Sequence, residues 1–135
     1  MLSLRKESDY ALQLLKRLSV KKGSCLSLQK VSEDIGVSFL FLQKIARKLR
    51  IAGMIEARQG IKGGYRLLLP QNHLSLRKII QVMEGECAIL SCLKKNCACV
   101  CRPDTDSCIL KKSKKIKKLN KDVLDLLEKV KLSDI

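Results

Sequence analysis

Six of the chain's seven cysteines, Cys87, Cys92, Cys97, Cys99, Cys101 and Cys108, fall within 22 consecutive positions, and Cys25 stands apart. Clustered thiols in a reducing compartment are read as metal ligands before disulfides. Thiolates are soft donors that suit zinc and iron–sulfur clusters. From Cys92 the spacing is C-x4-C-x-C-x-C-x6-C, which is not the pair of CxxC motifs of a zinc ribbon. Cys97, Cys99 and Cys101 alternate, and regular structure would not turn all three toward one ion, so the segment is read as a loop. The lone Cys25 is read as a small packing residue.

The rest of the chain must position that loop and give it a purpose. Its 135 residues carry 28 Lys and Arg against 13 Asp and Glu, a net charge of +15, which calls for an anionic partner. Nucleic acid leads and an acidic membrane surface follows. A hydrophobic fraction of 46% is too high for a disordered polycation, and 3% aromatics with no Trp demand an aliphatic core. No apolar run approaches a membrane span, and the charged N-terminus lacks a signal-peptide core. One His leaves little material for acid–base catalysis. A cytoplasmic protein that is not an enzyme, with no membrane and no small-molecule substrate, is expected.

The expected fold is mainly α with a small β-hairpin. Ala11, Leu14, Leu15 and Leu18 predict a helix over about Ser8 to Val20, and a short second helix runs from Ser27 to Ile35. Gly36 makes a tight turn, Ser32 sits where two helices cross, and Ser38 caps a third helix to about Ala52. This is a helix-turn-helix signature, with a plain helical hairpin as the alternative. Two strand-like runs follow, Met54 to Arg58 and Tyr65 to Leu69, around the basic glycine turn Gln59–Gly64. A helix-turn-helix followed by a β-hairpin is a winged helix, whose third helix enters the major groove. Ser75 caps a fourth helix to Glu84. A last helix from about Cys108 to Leu132 carries a heptad seam of Ile109, Ile116, Leu119, Val123, Leu126 and Val130. Three parts result: a winged helix-turn-helix DNA-binding domain over 1–84, a cysteine-rich metal- or cluster-binding loop over 85–107, and a long C-terminal dimerisation helix over 108–135. The seven lysines between Lys111 and Lys121 read as a solvated helix face or as phosphate contacts.

The order of elements makes double-stranded DNA the expected partner. Ser38, Gln43, Lys44 and Arg47 are the candidate contacts of the recognition helix. Gln43 is the candidate base reader, because its amide can pair bidentately with adenine, and Lys44, Arg47 and Lys48 are candidates for phosphates. Phe41 has two uses, a thymine methyl or packing against its neighbours. Arg58, Gln59 and Lys62 are the candidates of the wing.

Almost the whole chain resembles the winged-helix iron–sulfur transcription regulators typified by IscR and NsrR. The resemblance is carried by Asp9-Tyr10-Ala11-Leu12, by Leu42-Gln43-Lys44-Ile45 through Leu49-Arg50, and by Ala52-Gly53-Met54-Ile55. It continues in Gly63-Gly64-Tyr65-Arg66-Leu67 of the wing and Val82-Met83-Glu84-Gly85 before the cysteines. It implies a homodimeric regulator, commonly a repressor, that binds a [2Fe–2S] cluster in preference to [4Fe–4S] through three loop cysteines. Cys92 matches the first ligand and Cys108 the last. The middle one falls among Cys97, Cys99 and Cys101, with Cys101 preferred and Cys99 next. Asp9 matches an aspartate ligand of some members, or is a first-turn acid favoured by the helix dipole. The chain departs from the family where Gln59 replaces the wing arginine and Lys111 stands where some members have a ligand histidine. A structural zinc site, a clusterless thiol loop, or a small iron–sulfur electron carrier are the rival readings. The last has no use for a wing.

Overall fold

The computed structural model describes residues 4–21, 23–95 and 109–135. Helix α1 spans Lys6–Val20, two residues earlier than expected from Ser8. Ser8 is buried inside the helix, where its hydroxyl donates to Glu84 Oε1 at 2.7 Å. The backbone N–H of Arg5, at the helix N-cap, donates to the same oxygen at 2.8 Å. Glu84, which ends a helix further along the chain, therefore supplies the cap that α1 lacks locally.

Helix α2 (Leu28–Ile35) ends at Gly36, whose φ of 77° turns the chain so that Val37 N–H reaches Ser32 O at 3.1 Å. Helix α3 (Phe39–Ile51) starts at Ser38, whose hydroxyl oxygen accepts the N–H of Phe41. Leu42, Ile45, Ala46 and Leu49 form the buried stripe that fixes its orientation. Strands β1 (Ile55–Arg58) and β2 (Gly64–Leu67) pair antiparallel, with Arg58 opposite Gly64 and Ile55 opposite Leu67. Both are shorter than the sequence runs, although Leu68 N–H still bonds Met54 O.

A third edge was not legible in the sequence. Leu26 exchanges both backbone hydrogen bonds with Tyr65 at 2.9 Å, adding a single-residue bridge to the wing. A Cβ on Gly64 would lie 2.4 Å from Leu26 O, so the close approach requires glycine there.

Helix α4 (Leu76–Glu84), capped by Ser75, packs Ile79, Ile80 and Met83 inward. With α1–α3 it encloses an aliphatic core that includes Leu14, Leu15, Val31, Met54 and Ile55. The C-terminal segment corrects the expectation of one helix from Cys108 to Leu132. It is two helices, α5 (Ile109–Lys112) and α6 (Lys114–Lys129). Ser113 divides them: its ψ of 116° is extended and its hydroxyl accepts Ile116 N–H as a new N-cap. Cys108 itself lies outside the described residues. After α6 the chain turns back onto the body. Leu76 N–H bonds Val130 O and Leu132 N–H bonds Leu74 O, each at 2.8 Å, and Leu132 is completely buried.

Candidate nucleic-acid interface

The buried stripe of α3 dictates what the helix offers to solvent. With Leu42, Ile45, Ala46 and Leu49 inward, Gln43, Lys44, Arg47 and Lys48 are all exposed on the opposite side. Ser38 is exposed at the N-terminus of the same helix. Its oxygen caps Phe41 N–H, so only its hydroxyl proton is left to donate to a phosphate. Helix N-termini already favour anions, which makes this end the natural phosphate contact.

Two candidates behave differently from the rest. Lys48 Nζ lies 2.8 Å from Glu7 Oε2 of α1. That hydrogen bond and the charge of Lys48 hold the Glu7 carboxyl below its ordinary value, with Arg5 and Lys44 adding to the effect. Part of the positive charge of Lys48 is thus neutralised before any partner arrives. Phe41 is half-buried and meets Tyr10 edge to face, ring centroids 5.7 Å apart at 88°. Of its two expected uses, the structure shows packing.

The apolar residues exposed at the start of α3 are instead Phe39, at 37%, and, far more, Leu40, at 69%. Sequence reasoning passed over Leu40 because it lies off the buried stripe. That same fact was the available signal, since an aliphatic side chain on a basic helical face has no use in the core.

On the wing, Glu56 organises the cations. It pairs with Arg66 across the strands and with Arg58 Nε at 3.6 Å along its own strand. Gln59, just before the turn, and Lys62, within it, are exposed. Recognition helix and wing therefore present Lys44, Arg47, Arg58 and Lys62 as exposed cations, which suits a polyanion.

The start of the cysteine segment is held against the body. Ile89 N–H donates to Asn120 Oδ1 of α6 at 2.8 Å, and both Glu86 oxygens accept Lys95 N–H at 2.9–3.0 Å. Cys92 lies in the single 3₁₀ turn Ser91–Leu93 inside this closed segment. Cys87 lines a cleft of about 420 Å³ with Leu76, Ile80, Val123 and Leu127. Burial, with a contribution from Glu84, pushes the Cys87 thiol up, which disfavours its thiolate. Cys97, Cys99, Cys101 and Cys108 lie outside the described residues. Among the described residues, no three of His, Cys, Asp and Glu are grouped to hold a metal. The donor chemistry of Cys92 and the loop thiols fits an iron–sulfur group. Asp9 is exposed on the first turn of α1.

Residues 4–135 match the Rrf2 family, described as iron-dependent transcriptional regulators. The chain belongs to the Rrf2 family. The repressor NsrR of Streptomyces coelicolor is 32% identical over 91 residues, covering 66% of this chain and 62% of its own. The regulator IscR of Cereibacter sphaeroides is 31% identical over 86 residues, covering 62% and 56%. Matches of this kind span about half to three fifths of the length of the first curated relatives. CymR, the global cysteine regulator of Bacillus subtilis, superposes with a TM-score of 0.77 at 24% identity, covering 99% of this chain and 95% of its own. This likeness shows that the mainly helical fold with its wing is the Rrf2 fold. The named relatives are transcriptional regulators, so this Rrf2 chain stands in a family without enzymatic activity. Among the described residues no helix is long and apolar enough to cross a membrane.

Proposed function

We propose that this Rrf2 protein is a homodimeric DNA-binding transcription regulator, a repressor, acting in the cytoplasm, whose operator binding is governed by an iron–sulfur cluster on Cys92, Cys101 or Cys99, and Cys108. The observation that carries the DNA-binding part is the exposed row Gln43, Lys44 and Arg47 on a helix pinned from behind by four buried residues. A pinned helix can enter the major groove without rearrangement. Gln43 reads a base there, Leu40 takes the thymine-methyl contact first considered for Phe41, and Lys44, Arg47 and Ser38 hold phosphates.

Homodimerisation is supported by α6. Its apolar arc is wider than the body covers: Val123, Leu124 and Leu127 face α4, while Leu119 and Leu126 remain exposed. A second copy would bury that remainder and set the spacing of two recognition helices. The cluster, when bound, supplies a redox- and iron-sensitive charge beside the dimer helix. Asn120 transmits the order of the loop to α6 through Ile89, and Glu84 links the loop's root to the start of α1. Tightening or loosening the loop thereby alters the half-site spacing.

The test is the visible spectrum, with iron, sulfide and zinc analysis, of protein purified without oxygen. Brown protein with iron and sulfide in equal amounts supports the cluster, and Cys92→Ala or Cys108→Ala should bleach it. Colourless protein holding zinc would sink the cluster and leave a zinc-supported regulator. The surplus of loop cysteines over the three matched ligands suits either an all-cysteine cluster or that zinc reading.

A further inference from the structure

The tip of the wing is a four-residue turn, Gly60–Gly63, closed by the Gly63 N–H on Gly60 O at 2.9 Å. Its two central residues are Ile61 and Lys62, and neither has positive φ. Glycine, asparagine, aspartate and serine are the usual occupants of such tips. Here the foremost residue is isoleucine, and its side chain is entirely exposed, at 107% of the reference value. It contributes nothing to the core. The turn is also tightly built, because a Cβ on Gly63 would lie 2.3 Å from Arg58 O.

The two arginines of the wing are drawn back from the tip. Arg58 sits opposite Gly64 at the end of the hairpin and its guanidinium is drawn back toward Glu56 at 3.6 Å. Arg66 is held by the same carboxylate. Gln59 carries no charge. The two central residues of the tip are thus a wholly exposed branched aliphatic group and an exposed ammonium.

Given the DNA-binding reading above, we infer that Ile61 is the residue with which the wing reads DNA, lying in the minor groove against A·T pairs while Lys62 holds the flanking phosphate. In the minor groove an A·T pair shows only acceptors at its edges, whereas a G·C pair adds the guanine amino group. An aliphatic side chain fits the floor of an A·T step and cannot satisfy that amino group. Apolar wedges are the recurrent device of proteins that enter this groove. Sequence preference at the wing therefore rests on exclusion by Ile61, with no arginine inserted.

The probe is a set of duplexes selected from a random pool by the wild-type protein, with single A·T pairs under the wing replaced by G·C or by inosine·C. Inosine lacks the amino group but keeps the major-groove edge of guanine. Wild-type protein should bind G·C variants about tenfold more weakly and recover on inosine·C, the size of a single mismatch. Ile61→Ala should bind the selected duplex about tenfold more weakly and treat the three versions alike. Its urea midpoint should be unchanged, since Ile61 is wholly exposed among the described residues. If Ile61→Ala keeps the wild-type affinity or the amino-group sensitivity while Lys44→Ala weakens binding, the wing assignment is overturned and DNA binding stands. If Ile61→Ala weakens every version equally and the wild type shows no amino-group sensitivity, the assignment is overturned as well. A wild-type protein that selects no duplex at any salt concentration overturns the DNA-binding reading and the wing assignment together.

Discussion

The winged-helix body and the C-terminal arm are stabilised in different ways. In the body, four helices and the hairpin share one aliphatic core, and Leu14, Leu15, Leu42, Leu49 and Ile79 are wholly buried. In the arm, neither α5 nor α6 buries a single residue of its own. The arm is fastened by the Leu132 clasp, by Ser75 donating to Glu128 at 3.1 Å, and by Asn120 receiving Ile89. The body can specify its own shape from local pattern and burial. The arm has apolar surface left over, at Leu119 and Leu126, and follows the cysteine segment in the chain. On the proposed function, that division would give a reader that stays rigid and a coupling element whose order depends on a second copy and on bound metal.

The largest effect should come from cutting the clasp. Leu132→Ala removes a fully buried side chain where arm meets body, and should cost about 2–5 kcal/mol in urea unfolding. A loss no larger than that of a surface substitution would show that the arm is not fastened there. Next, Leu119→Asp combined with Leu126→Asp should leave the body folded but give a monomer in sedimentation. Operator affinity should fall about a hundredfold as the two half-sites stop acting together. A dimer that survives both changes would place the interface elsewhere.

Within the body, Lys44→Ala should weaken binding to all duplexes about tenfold and reduce the salt slope by about one, as expected for one lost phosphate contact. Glu7→Gln should act in the opposite sense and least of all. It releases Lys48, so affinity should rise by less than about threefold and depend more steeply on salt. The same substitution carries a pH signature. The Glu7 carboxyl titrates below its ordinary value in the folded chain, so its contribution is present above the unfolded value and is lost as pH falls through the folded one. Acid unfolding of Glu7→Gln should lack that part of the loss.

Much of the body was legible in the sequence because its signals are local. Ser38, Gly36 and Ser75 mark helix ends by capping chemistry, and the leucine spacing of α3 separates core from contact face without reference to anything distant. What stayed hidden depends on contacts between remote segments. No periodicity shows that Leu26 bridges to Tyr65, that Glu84 caps α1, or that Leu132 belongs to the core. The heptad pattern pointed to one long helix because apolar spacing carries across Ser113, whereas its hydroxyl oxygen caps the next turn and ends the previous one. At the interface, the basic residues of α3 were legible as a set. Their individual roles were not, since the pairing of Lys48 with Glu7 and the edge-to-face contact of Phe41 with Tyr10 both depend on where α1 lies.

The central claim, that order in the cysteine segment controls operator binding, is tested most directly by one titration. The chain is purified without oxygen, divided, and reconstituted with iron and sulfide in one half only. Both halves are then titrated onto the selected duplex and onto an unrelated duplex over a range of salt. The account predicts affinities for the selected duplex that differ by about tenfold or more, with equal salt slopes on the unrelated duplex, because α3 and its phosphate contacts are the same in both. Equal affinity for the selected duplex in the two halves, with iron and sulfide demonstrably bound in one, would contradict it.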